Sequence, residues 1–199
     1  MLSRPWNSTQ ASAILKTATE IDINLVSWTY CVPSHWKPVP ASIIPQSVRD
    51  AGIWKNRCDC YSDIWVAHIW NTYRDCRTVV QKIMLSCLRI LGWDDAYGSK
   101  ATTIISTIRQ LADDICGTVP FFLGDQVESV RLKSGLVTYP FAETRPITST
   151  HVHAAPVHGA WQLFMPIRNL HNPDLELPAE QLIWIRKQME RILVIYFQR

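Results

Sequence analysis

From Ser62 to Leu91 the chain runs without a proline or a glycine, and apolar residues return at helical intervals. Trp65, Ile69, Thr72, Cys76, Val79, Ile83, Cys87 and Ile90 mark one face of a helix, and Gly92 supplies its stop. At about 1.5 Å per residue this helix would be roughly 45 Å long, which is long for a small domain. Such a helix serves as a spine on which shorter helices pack. The expected fold is all-α: an irregular helical bundle around one long central helix over 62–91, within a single domain spanning 1–199.

The flanking segments fit that frame. Ile14, Ala18, Ile21, Leu25 and Trp28 predict a first helix over 9–30, ended by Pro33. Asn7-Ser8-Thr9 matches a glycosylation pattern, but capping of this helix is the better role for it. Residues 31–60 carry Pro33, Pro38, Pro40 and Pro45 and read as an irregular connection anchored by Trp36 and Trp54. Ile104, Ile105, Ile108, Leu111, Ala112 and Ile115 predict a helix over 99–116, stopped by Gly117 and Pro120. Residues 118–157 lose periodicity and predict a long loop, mobile over about 124–157, with a short strand near Leu136–Tyr139. A helix kinked at Pro166 is expected over 159–170, and Pro178 opens a last helix over 179–197. The apolar run from Ile192 to Phe197 either packs into the core or continues into more protein.

Composition narrows the chemistry. The 199 residues hold nine tryptophans and only seven glycines. Average usage would give about 14 glycines. Phosphate-cradling loops and all-β sandwiches both need more, so P-loop, Rossmann and β-sandwich readings are disfavoured. The net charge of +3 has no clustered basic run, so no autonomous DNA binding is expected. No stretch is apolar enough to span a membrane, and the N-terminus shows no secretory pattern. The six cysteines lack a C-x-x-C and read as reduced, mostly buried thiols.

Four groupings could carry chemistry. His151-Val152-His153 with His158 could ligate a metal, but lies in the segment expected to be a loop, and zinc needs a fixed set of three or four ligands. Cys58-Asp59-Cys60 offers two thiols, short of a metal set and unlike a redox C-x-x-C. Asp113-Asp114 could hold magnesium, but that chemistry needs a second carboxylate cluster, and Asp94-Asp95 falls in an expected loop. Pairing of Asp113 or Asp114 with a buried Arg74 or Arg77 is the favoured reading. Trp65 and Trp70, at helical spacing, read as core rather than as a stacking platform. No nucleophile motif is present, so no catalytic residue, cofactor or metal ligand is assigned.

Four stretches carry a family likeness. One is Ala18-x-x-Ile21-Asp22-x-x-Leu25-x-x-Trp28, leading to Pro33-x-x-Trp36. The second is Tyr61-x-Asp63-x-Trp65-x-Ala67-x-x-Trp70-Asn71-x-Tyr73-Arg74. The third is Asp113-Asp114-Ile115-Cys116 with Val119-Pro120-Phe121. The fourth is Trp161 to Ile167, with Trp184-Ile185 in the last helix. Together they resemble the fungal-specific transcription factor domain, the C-terminal helical region of fungal zinc binuclear-cluster regulators. The resemblance spans about residues 11–195.

The resemblance implies an all-helical, nuclear regulatory module that acts by protein contact, dimer contact or effector response, without catalysis. Trp65, Trp70, Asn71, Tyr73, Arg74, Asp113, Asp114, Ile115, Cys116 and Pro120 would then be structural. The family's DNA-binding cluster uses six closely spaced cysteines that begin with C-x-x-C. Nothing here matches it, so sequence-specific DNA binding does not carry over. The fourth stretch also departs, with Arg168-Asn169 where the family is apolar. The competing reading is a small helical enzyme or ligand-binding protein of fungal secondary metabolism, built around an aromatic-lined cavity.

Overall fold

A computed structural model describes residues 6–92, 95–123 and 149–197. Helix α1 spans Ser8–Cys31, and a short α2 spans Gln46–Asp50. The spine α3 spans Ile64–Leu91, and α4 spans Asp95–Cys116. Then come α5 over Val119–Leu123, α6 over Ser149–Leu170 and α7 over Ala179–Phe197. A two-residue ribbon pairs β1, Val39–Pro40, antiparallel to β2, Asp59–Cys60. The fold is all-α, as expected.

The helix ends follow local chemistry. Asn7 Oδ1 accepts from the Gln10 amide at 2.9 Å, and Gln10 Oε1 accepts from the Asn7 amide at 3.0 Å. This reciprocal box satisfies two of the amides that a helix start leaves without partners. Asp63 caps α3 by accepting from the amides of Trp65 and Val66 at 2.8 and 2.9 Å. Gly92 ends α3 at φ 99°, where a side chain would be strained, and its amide donates to Leu88 at 3.1 Å. Gly117 closes α4 by donating to the Asp113 carbonyl at 2.9 Å.

The spine is covered by α1, α4 and α6. Its buried side carries Ala67, Trp70, Asn71, Arg74, Thr78, Gln81, Met84, Leu85 and Leu88. The stripe picked out by periodicity is a different one, of which Cys87 alone is fully buried. Trp65, Ile69, Val79 and Ile90 are 50, 36, 48 and 39% exposed. The reason is that the inward stripe repeats at the same interval but is polar at its centre, so counting apolar residues selects the opposite face. Polar residues can lie inside because they bond to one another, as described below.

The expected loop over 118–157 is replaced at both ends. Val119–Leu123 is a buried helical turn, with Pro120 in its first turn where no amide is needed. α6 begins at Ser149 and runs through Pro156 and Pro166 as one helix, so residues 149–157 are helical rather than loop. The strand proposed near Leu136–Tyr139 lies outside the described residues. An interior proline costs a helix about 3 kcal/mol, so packing must offset it. Ala155 and Ala160 are fully buried, and Gly159 lets α6 approach the α5 backbone.

A Cβ at Gly159 would sit 2.2 Å from the Phe122 carbonyl oxygen. Both partners are backbone, so neither can swing away. In an exposed helix, Gly→Ala stabilises by about 1 kcal/mol. Here Gly159→Ala is expected to cost about 3 kcal/mol through overpacking and to lower Tm by roughly 6–12 °C, read by thermal melting. An unchanged or higher Tm would show that α5 and α6 are not in such contact.

Candidate functional site

Three family-like residues of the spine, Trp70, Asn71 and Arg74, converge on one buried polar knot. Arg74 is 3% exposed. Its Nη1 donates to the Tyr61 hydroxyl at 2.8 Å and to Asn71 Oδ1 at 3.0 Å. Asn71 Nδ2 donates to Thr118 Oγ1 at 2.9 Å, and Thr118 Oγ1 donates to the Ile115 carbonyl at 2.7 Å. The guanidinium lies over the rings of Trp70 and Tyr61, with its carbon 5.6 and 5.9 Å from their centroids. Trp70 Nε1 donates to the Trp36 carbonyl at 2.7 Å, and Trp28 packs edge-on against Trp70 at 5.2 Å. Burial pushes the Tyr61 hydroxyl well above its ordinary range, against the pull of Arg74, so it stays protonated.

The expected partnership of Arg74 with Asp113 or Asp114 does not form. Arg77 bonds Asp22 instead, at 2.7 Å. Asp113 Oδ1 accepts from Trp54 Nε1 at 2.6 Å and from Gln181 Nε2 at 3.1 Å, while Oδ2 takes Lys55 Nζ at 2.8 Å. Asp114 Oδ1 accepts from Arg57 Nη1 at 2.7 Å and Gln110 Nε2 at 2.9 Å. Arg57 also grips buried Asp59 with Nε and Nη2, at 3.1 and 2.7 Å. The 31–60 connection folds back over the end of α4, so its own cations reach the aspartates first. Burial opposes the Arg57 charge, but Asp59 and Asp114 outweigh it and hold the guanidinium above its usual range. Asp113 therefore faces α7 and the connection.

The cysteine pair is also packed away. Cys58 and Cys60 are 2% and 0% exposed, and all six cysteines are thiols. Burial, with Cys60 beside it, pushes the Cys58 thiol well up, and burial takes Cys116 up to about 12. Neither is poised as a thiolate nucleophile. Among the described residues, no three His, Cys, Asp or Glu side chains gather as a metal set. The His151 and His153 side chains lie outside the described residues. His158 is exposed, with its ring 5.8 Å from that of Trp65.

A groove of about 600 Å³ opens between α3 and α6. Trp65 and Trp161 stand on its two sides, 50 and 64% exposed. His68, Asp75, Gln162 and Met165 complete the part used below. His68 Nδ1 and Gln162 Oε1 are buried without a hydrogen-bond partner. Desolvation lowers the His68 pKa, favouring the neutral ring. The Asp75 carboxyl is raised by burial, although Asn169 Nδ2 donates to it at 2.8 Å.

With this geometry in place, known proteins give one bearing. The chain is 26% identical over 182 residues to Transcription factor dbaG of Emericella nidulans. The match covers 89% of this chain and 41% of that protein, so the chain spans about two fifths of its relative's length. No protein family profile matches the chain, and no solved structure matches it. The chain is thus similar to a fungal transcription factor along most of its length. Among the described residues, no helix is long and apolar enough to cross a membrane.

Of the singled-out positions, Trp70, Asn71 and Arg74 meet in the knot, with Tyr73 stacked on Trp28 at 5.2 Å. Ile115, Cys116 and Pro120 are buried at the α4–α5 turn. Asp113 and Asp114, at the end of α4, are held by cations of the connection, and Trp65 stands apart at the groove rather than in the core. Sequence reasoning missed the groove because its walls lie some ninety positions apart, at Trp65 and Trp161. The available signal was the apolar stripe on a spine that already had a second, buried face.

The neutral His68 ring gives the fold a pH dependence. Its folded pKa lies below the ordinary 6.5, so the unfolded chain takes up the proton first as pH falls. Stability is lost below pH 6.5 until the folded ring also protonates. Asp75 contributes with the opposite sign, so the test compares variants. His68→Gln is expected to lose less stability than the parent chain on going from neutral to mildly acidic buffer, by urea titration. Equal losses would remove His68 as the cause.

Proposed function

We propose that this chain is a transcription-regulator-like helical module of the fungal-specific transcription factor type, nuclear, and acting by protein contact or effector sensing. The observation that carries it is the likeness to a fungal transcription factor over 89% of the chain. The motif residues support the same reading. Asn71 and Arg74 bond to neighbouring side chains, and both carboxylates of the Asp113-Asp114 pair are tied to lysine or arginine. Side chains committed to holding the frame are not free for acid–base work. The ten positions singled out above take structural or groove-lining roles in this reading, and no catalytic residue or cofactor is proposed.

Partners of such a module are another protein or a second copy of the chain, with DNA read elsewhere. The ligand-binding half of the competing reading keeps one observation in its favour, the groove between two tryptophans, and effector sensing absorbs it. For the enzyme half, no nucleophile motif is present, and the Asp113-Asp114 pair is tied to Lys55 and Arg57.

Fused to a heterologous DNA-binding domain in a fungal host, the chain is expected to change the output of a reporter carrying that domain's sites. The chain alone is expected to give no specific complex in a mobility-shift assay. A fusion with no effect on the reporter, or a nanomolar specific complex with the isolated chain, would contradict the proposal.

A further inference from the structure

The groove between α3 and α6 has features that a packing surface lacks. Its walls are aromatic and partly bare, and two of its lining residues carry buried polar atoms without partners. Gln162 is only 6% exposed, yet its Oε1 accepts no hydrogen bond, and buried His68 Nδ1 has none either. Proteins rarely leave such atoms unbonded, because desolvation is then uncompensated. Both residues line the groove, so a molecule seated there can supply what the chain does not.

The electrostatics select the kind of molecule. No lysine or arginine is among the described lining residues, and Asp75 contributes a desolvated carboxyl. An anion would meet no counter-charge. The neutral His68 ring can accept or donate through Nδ1, according to its tautomer, whereas Gln162 Oε1 can only accept. A volume of about 600 Å³ lies in the range of small-molecule sites, about 300–1,000 Å³. The orphan atoms are shielded from solvent while the two tryptophans are half bare, so a flat ring system against Trp65 and Trp161 can carry a polar group to them.

We infer that this groove binds a neutral, flat aromatic compound bearing a hydroxyl or N–H donor, with the donor directed to Gln162 Oε1 and the rings against Trp65 and Trp161. This deepens the effector-sensing reading and rests on it. A protein segment laid across the groove would cover the tryptophans but has no need of a single recessed donor.

The probes are 9-phenanthrol and its methyl ether, which share a ring system and differ in the donor. Binding is read by quenching of tryptophan fluorescence. The phenol is expected to bind about tenfold more tightly than the ether, the worth of one hydrogen bond to a buried acceptor. Gln162→Met, of similar length, is expected to abolish that preference while keeping both probes bound. Trp161→Ala, at an exposed position, is expected to weaken both. Circular dichroism confirms that each variant is folded.

Equal affinity for the two probes in the parent chain would overturn the inference without use of any variant. So would a preference that survives Gln162→Met, or the absence of saturable quenching by either probe. If the reporter responds to the fused chain while neither probe binds, the ligand site falls and regulation by protein contact stands. If the probes bind as expected and the reporter is silent, the site stands and the regulatory reading falls.

Discussion

A guanidinium buried on the inner face of the longest helix imposes its needs on everything around it. Arg74 cannot lose its charge, and the described ion pairs go to other cations. Its compensation comes from the Tyr61 hydroxyl, the Asn71 carbonyl oxygen and two aromatic faces. Each of these then has a place it must occupy. Tyr61 brings the end of the 31–60 connection to the spine. Asn71 reaches on to Thr118 and fixes the turn between α4 and α5. Trp70, one position before Asn71, holds Trp36 and Trp28, and so the connection and α1. Losing one partner of such a set leaves a buried polar group unsatisfied, which costs more than the bond itself contributes.

The same choice determines the outer face. With polar residues turned inward and satisfied there, the spine places Trp65, Ile69, Val79 and Ile90 on the opposite side. α6 approaches one end of that side, held by the Gly159 contact with α5, and Asn169 bonds Asp75 across the gap. What lies between the two helices is a groove with aromatic walls. Structure and exposure are thereby divided along one helix: an inner stripe that ties the domain together and an outer one that leaves apolar side chains exposed.

Much of this is legible in the amino-acid sequence. α1, α3, α4 and α7 are marked by interior stretches of helical period and by ends that local chemistry enforces, such as the stops at Gly92 and Gly117 and the start at Pro178. Prolines misled where packing overrode them. Pro120 opens a short helix, and Pro156 lies within one, because small residues at 155, 159 and 160 let two backbones touch. The spine's orientation was not legible, since two stripes share its period and the buried one is polar. The aspartate partners were missed for a different reason. Lys55 and Arg57 reach Asp113 and Asp114 through the return path of an irregular segment, which no periodicity encodes. The singled-out positions were found by likeness rather than by spacing, and the groove by neither.

The central claim is that Arg74 and Tyr61 depend on each other inside the spine. A double-mutant cycle in urea unfolding tests it directly. Tyr61→Phe alone is expected to cost about 2 kcal/mol, because it strips a charged donor of its acceptor. In the Arg74→Met background the same change should cost nearly nothing, since the hydroxyl is already without its partner. The coupling is then at least about 1.5 kcal/mol. Effects that add to within about 0.5 kcal/mol would show that the two side chains stabilise the fold independently and that the knot is not what holds the domain together.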